Sequence, residues 1–82
     1  MFINKMADGR NNRCGEQIAR LRTEMNISQR KLADMLQLQG LDIDKNAIQR
    51  IEAGKRFVTD IELTHFAQLF RVSYGELLDG EE

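Results

Sequence analysis

ISQRKLADMLQLQGLDIDKNAIQRIEAGKR, residues 27–56, is the stretch whose reading decides the fold of this chain. It divides into two short helical segments around a turn that contains Gly40. In the second segment each residue turns the helix by about 100°, so Ile48 and Ile51 lie about 60° apart and set the buried direction. Asn46, Gln49, Arg50 and Ala53 fall on the opposite side, with Lys45 flanking them at the N-terminal end. Asn and Gln pair bidentately with adenine in the major groove, and Arg or Lys with guanine. Small Ala53 lets such a helix lie close to a partner. A polar outer face is common to surface helices, but this one carries no Asp or Glu in a chain where 13 acids face 12 bases. Lys45, Asn46, Gln49 and Arg50 are therefore the candidate base-reading residues.

Working outward, the first segment opens with Ser28-Gln29-Arg30-Lys31. The unpaired amides of a helix N-terminus, with Gln29 as an added donor, form a phosphate-sized anion site. Ser28, Gln29 and Arg30 are the phosphate candidates there, and Ala33 is small enough to let two helices approach. Arg22, on an earlier helix, and Glu52, on the second segment, each sit at the edge of their apolar stripe. An Arg–carboxylate pair between them would lock the second segment against the earlier helix.

Helix starts recur with one grammar: an apolar residue, a capping residue, and an apolar residue four positions after the cap. The instances are Ile27-Ser28-Leu32, Ile43-Asp44-Ile48, Val58-Thr59-Leu63 and Val72-Ser73-Leu77. Each fits a hydrophobic staple around an N-cap, and Thr59…Glu62 and Ser73…Glu76 also have the capping-box spacing. These sites predict helices over about 28–38, 44–53, 59–70 and 73–79. Cys14, Ile18, Leu21 and Met25 form the apolar stripe of a helix before them that ends near Asn26. Gly40 reads as a left-handed cap after the first segment of the opening stretch. Ile61, Leu63, Phe66, Ala67, Phe70, Tyr74, Leu77 and Leu78 are the apolar bulk expected in the core. The expectation is an all-α, compact five-helix bundle over 13–82, with 1–12 a loose polar arm.

Composition bounds the rest. Eighty-two residues make one domain, and the absence of Pro with few aromatics suits a helical bundle. Residues 1–56 hold 11 Lys and Arg against 7 Asp and Glu, and residues 57–82 hold 1 against 6. A basic two-thirds and an acidic tail suggest one end that faces phosphate. A single Cys and no signal-peptide or membrane-spanning run point to a cytoplasmic protein. Cys14 and His65 offer no metal set and no catalytic dyad, so neither a metal, a cofactor nor an enzyme is expected.

The segments IARLRTEMNISQRKLADML (18–36), AIQRIEAGKR (47–56) and ELTHFAQLFRVSYGELL (62–78) together resemble the lambda repressor/Cro-like helix-turn-helix family, the XRE-like transcriptional regulators. The resemblance covers about residues 17–78. It implies sequence-specific binding of double-stranded operator DNA by a five-helix domain, read in the major groove by the helix at about 44–53, with a homodimer on a two-fold site. It places Lys45, Asn46 and Arg50 at base-reading positions, with Gln49 adjacent, and Gln29 at a phosphate. Lys55, with Arg56 beside it, would touch the backbone after the reading helix, and Arg22–Glu52 would be a structural pair. The turn through Gln37–Ile43 is longer than the family's, Ala53 replaces a commoner Asn, and Val58 stands at a frequent Pro position. The expected function is a transcriptional regulator, a repressor with no room for an effector domain. The alternative is an antitoxin or adaptor that uses the bundle for a protein partner such as a toxin.

Overall fold

The computed structural model describes residues 5–80, which form α1 (Gly15–Glu24), α2 (Gln29–Leu38), α3 (Lys45–Glu52), α4 (Asp60–Phe70) and α5 (Tyr74–Asp79). Among the described residues there is no strand, and no helix is long and apolar enough to cross a membrane.

Local chemistry starts each of the last four helices where the sequence places it. Ser28 Oγ accepts from the Lys31 amide at 3.0 Å, Asp44 Oδ1 from Ala47 at 2.8 Å, Thr59 Oγ1 from Glu62 at 3.2 Å and Ser73 Oγ from Glu76 at 3.1 Å. Each bond satisfies an amide that has no partner within its helix. At Thr59 the box is reciprocal, since the Thr59 amide donates to Glu62 Oε1 at 3.0 Å. At Ser73 only half of the expected box forms, because the Glu76 carboxylate turns toward Arg20, 3.5 Å away on α1.

The helix ends share a device as well. Asn26, Gly40, Gly54 and Arg71 follow α1 to α4 with φ of 57°, 101°, 78° and 57°. The next amide in each case reaches back five residues: Ile27 to Arg22 O, Leu41 to Leu36 O, Lys55 to Arg50 O and Val72 to Ala67 O. This is the Schellman pattern, in which a left-handed residue folds the chain back over the last turn. After α2 it carries Leu41 into the core, followed by Ile43, which is 3% exposed. Gln37 Nε2 also donates to Ile43 O at 2.8 Å. The lengthened turn between α2 and α3 is thus pinned at two apolar residues and one carbonyl, and Asp42 stays outside.

Ile18, Leu32, Leu36, Ile48, Ile51, Phe66 and Leu77 form the sealed centre. α1 packs on α3 and α5, α2 packs on α3 and α4, and α4 packs on α5. The reading helix of the sequence analysis therefore rests on α1 and α2. Three expected core residues lie outside: Met25 falls beyond the end of α1 and is 43% exposed, and Ile61 and Tyr74 are 66% and 51% exposed. Ile61 is about 140° around α4 from Phe66 at the helical repeat, so its burial would require α4 to be covered on both sides.

The N-terminal segment departs most from expectation. Residues 1–4 of the expected arm lie outside the described residues, as do 81–82 at the other end. Arg10–Asn12 are not loose: Asn12 is 8% exposed, and all three residues hydrogen-bond to the backbone around the end of α3. Asn12 Oδ1 also accepts from the Gly15 amide at 2.9 Å, so Asn12 does the capping at the start of α1 that Cys14 does not.

Arg71 is a non-glycine residue in the left-handed region, where its Cβ crowds the neighbouring carbonyl. Its side chain is exposed. Replacing it by glycine should raise the unfolding free energy by about 1 kcal/mol, read from urea midpoints at constant m.

Candidate nucleic-acid interface

The outward face of α3 is as the angular reading drew it. Lys45, Asn46, Gln49 and Arg50 are all exposed, while Ala47, Ile48 and Ile51 are buried beneath them. None of these four side chains takes a hydrogen bond or ion pair with another described residue through its polar end, so their donors face solvent together. Arg30, Ala33, Asp34 and Gln37 of α2 line an open groove against Asp44 and Lys45 at the start of α3. Asp44 spends its carboxylate on the helix cap.

The helix is fixed by a charged network at its base. Arg22 Nε and Nη2 donate to the two carboxylate oxygens of Glu52, at 2.7 and 3.1 Å, and Nη1 donates to Ile27 O at 2.9 Å. The side chains are only 18% and 9% exposed. A two-point fork in a partly dry site is geometrically specific, which suits a joint between α1 and α3. The guanidinium of Arg22 is pushed further from losing its proton, chiefly by the hydrogen bonds to Glu52. Gln29 completes the network, donating from Nε2 to Glu52 Oε1 at 3.0 Å. One amide hydrogen of Gln29 is thus used inside the protein, while Arg30 and Lys31 beside it are exposed.

The phosphate candidates separate on inspection. Arg30 and Lys55 are exposed and make no ion pair with another described residue. Ser28 is committed through its oxygen to the α2 cap. Arg56 is partly exposed and paired within the fold: its Nη1 and Nη2 donate to the two oxygens of Glu62, at 2.9 and 2.8 Å. That fork ties the segment after α3 to the first turn of α4. Hydrogen bonds from Arg56, joined by the Thr59 backbone, hold the Glu62 carboxyl below the usual carboxylate range.

The sequence reading missed the residues on the far side of α3. Arg10 Nη2 donates to Glu52 O at 3.0 Å, Asn11 Nδ2 to Lys55 O at 3.1 Å, and Asn12 Nδ2 to Ile51 O and Arg56 O at 3.0 and 2.8 Å. The Asn11 amide donates to Gly54 O at 2.8 Å. A polar run with Asn next to Asn ahead of a helix hints at capping, but nothing in its spacing says that it reaches residues 51–56. Cys14 packs in the core, its thiol pushed up to about 11 by burial, and His65 Nδ1 lies 3.2 Å from Gln39 Oε1. Among the described residues no three His, Cys, Asp or Glu gather into a metal-ligating group.

A family model described as helix-turn-helix matches residues 18–77. No curated protein and no solved structure matches the chain.

Two measurements check the electrostatics. Glu52→Ala should lower the unfolding free energy by about 3 kcal/mol, since it strands the Arg22 charge in a partly buried site. In a cycle with Arg22→Ala the two losses should fail to add, which urea unfolding of the double variant will show. Glu62 stabilises the fold when ionised, because its native pKa lies below its unfolded one. The stability gap between wild type and Glu62→Gln should be full above about pH 5 and shrink as pH falls through the lowered native pKa.

Proposed function

The chain belongs to the XRE/lambda repressor-like helix-turn-helix family of DNA-binding regulators, and on that premise we propose that α3 reads base edges in the major groove of double-stranded operator DNA. The observation that carries this is the co-exposure of Lys45, Asn46, Gln49 and Arg50 on the one face of α3 that neither α1 nor α2 covers. Arg50 and Lys45 suit guanine, and Asn46 and Gln49 suit adenine. Gln29 and Arg30 at the start of α2, and Lys55 after α3, take the phosphates that fix the register. Arg56 is left to the fold for the reason given above.

Regulation then follows by occupancy of the operator, as a repressor acts. The protein works as a homodimer on a two-fold site, where two half-sites multiply the selectivity of one short helix. An apolar surface away from α3 supports a protein contact of this kind. Ile61 and Tyr74 are both exposed, and the Tyr74 hydroxyl lies 3.5 Å from Thr64 Oγ1, one turn along α4 from Ile61. The same surface supports the adaptor or antitoxin reading, which a copurifying partner that survives nuclease and high salt would favour.

Duplexes selected from a random pool, titrated by fluorescence anisotropy across a range of salt, test the DNA reading. Arg50→Ala and Asn46→Ala should each cost about 1–3 kcal/mol on the selected site and relax the preference at one base pair. Lys55→Ala should weaken all duplexes alike and reduce the salt slope by about 1. Binding to no duplex at any salt would contradict the proposal.

A further inference from the structure

An eight-residue helix is about 12 Å long, two turns of hydrogen bonds with costly ends. α3 is such a helix, and its N-terminal end is well held by the Asp44 cap and buried Ile43. Its C-terminal end is held by the Arg22–Glu52 fork and the Gly54 turn, and in addition by Arg10–Asn12. These three residues take the carbonyls of Ile51, Glu52, Gly54, Lys55 and Arg56. Two of the carbonyls belong to the last turn of α3, and the other three to the segment that leads on to α4.

The fit is close enough to be a register. A Cβ on Gly15 would come within 2.2 Å of Ile51 O, and one on Gly54 within 2.6 Å of the Arg10 guanidinium carbon. Arg10 also places a positive charge against the C-terminal end of α3, where the helix dipole favours it. Lys55 is gripped on both sides of its peptide: its amide donates to Arg50 O and its carbonyl accepts from Asn11. Its backbone, from which the exposed side chain projects, is therefore set at a fixed displacement from that of Arg50.

We propose that Arg10–Asn12 is a positioning strap for base reading, which holds the phosphate-contacting Lys55 and the base-contacting Arg50 in one register. The proposal rests on α3 being the reading helix. Discrimination between sequences requires base and phosphate contacts to be made at once, so a strap that fixes their spacing contributes to specificity without touching DNA. Asn12 isolates that role, because it is uncharged, 8% exposed and fully occupied by Ile51 O, Arg56 O and the Gly15 amide. Any effect of Asn12 on base choice has to travel through α3.

Asn12→Ala removes the donors to Ile51 O and Arg56 O, and the acceptor for Gly15, without changing the charge. Leu78→Ala, on the α5 helix that packs on α1 and α4, is the control for lost stability. Both are compared at a temperature where circular dichroism shows them folded, on a duplex selected by the wild type and on a shuffled duplex of equal composition. Asn12→Ala should weaken the selected duplex about tenfold or more, leave the shuffled duplex within about twofold, and speed amide exchange at residues 53–56 about tenfold. Leu78→Ala should leave the ratio of the two affinities unchanged. If Asn12→Ala does not fold, Asn11→Ala carries the same expectation on the same two readouts. An unchanged affinity ratio, an equal loss on both duplexes, or unchanged exchange at residues 53–56 would each overturn the strap. A wild-type chain that selects no sequence overturns instead the reading on which it rests, and does so before any variant is made.

Discussion

The two-point bond between Arg22 and Glu52 is the joint on which the orientation of α3 depends. It links α1 to α3 at 2.7 and 3.1 Å, in a site dry enough for the charges to matter, and Gln29 of α2 closes onto the same carboxylate. One carboxylate thus gathers three helices. The hydrophobic contacts of Ile48 and Ile51 supply the driving force that seats α3, but burial is not directional and would tolerate rotation about the helix axis. The fork does not. It converts a seated helix into an oriented one.

The remaining constraints on α3 come from its two ends. The long turn before it is drawn tight by Leu41, Ile43 and the Gln37–Ile43 bond, and the Asp44 cap starts the helix at a fixed point. Beyond it, the Schellman turn at Gly54 and the Arg56–Glu62 fork carry the chain into α4. The result is a short helix with its buried face, base, start and finish all specified, and with only its donor-rich outer face open to a ligand. That is a suitable state for reading base edges, since little ordering remains to be done on binding.

Much of this was legible in the sequence because it is local. The N-caps and the left-handed Gly40 depend on residues within one turn of each other, and the helical angle alone put Lys45, Asn46, Gln49 and Arg50 opposite Ile48 and Ile51. The Arg22–Glu52 pair was legible too, because both residues sit at the edge of a helical stripe, but the other non-local polar contacts were not. Arg56 carries the same charge as Lys55, and only the fold shows that Glu62 pairs with it. Asn11 and Asn12 read as loop residues because an amide that reaches carbonyls some forty positions away leaves no periodic trace. Ile61 was misplaced for a different reason: residue type was followed where the helical angle, about 140° from Phe66, pointed outward.

Nuclear magnetic resonance of the protein titrated with a selected duplex tests the central claim most directly, because it reports which residues meet DNA without altering any of them. The account predicts that the largest shifts fall on the amides of Gln29–Lys31 and Lys45–Arg50 and on the side-chain amides of Asn46 and Gln49, while Ile61–Leu78 stay put. Shifts concentrated at Ile61, Thr64 and Tyr74, with Lys45–Arg50 unmoved, would contradict it.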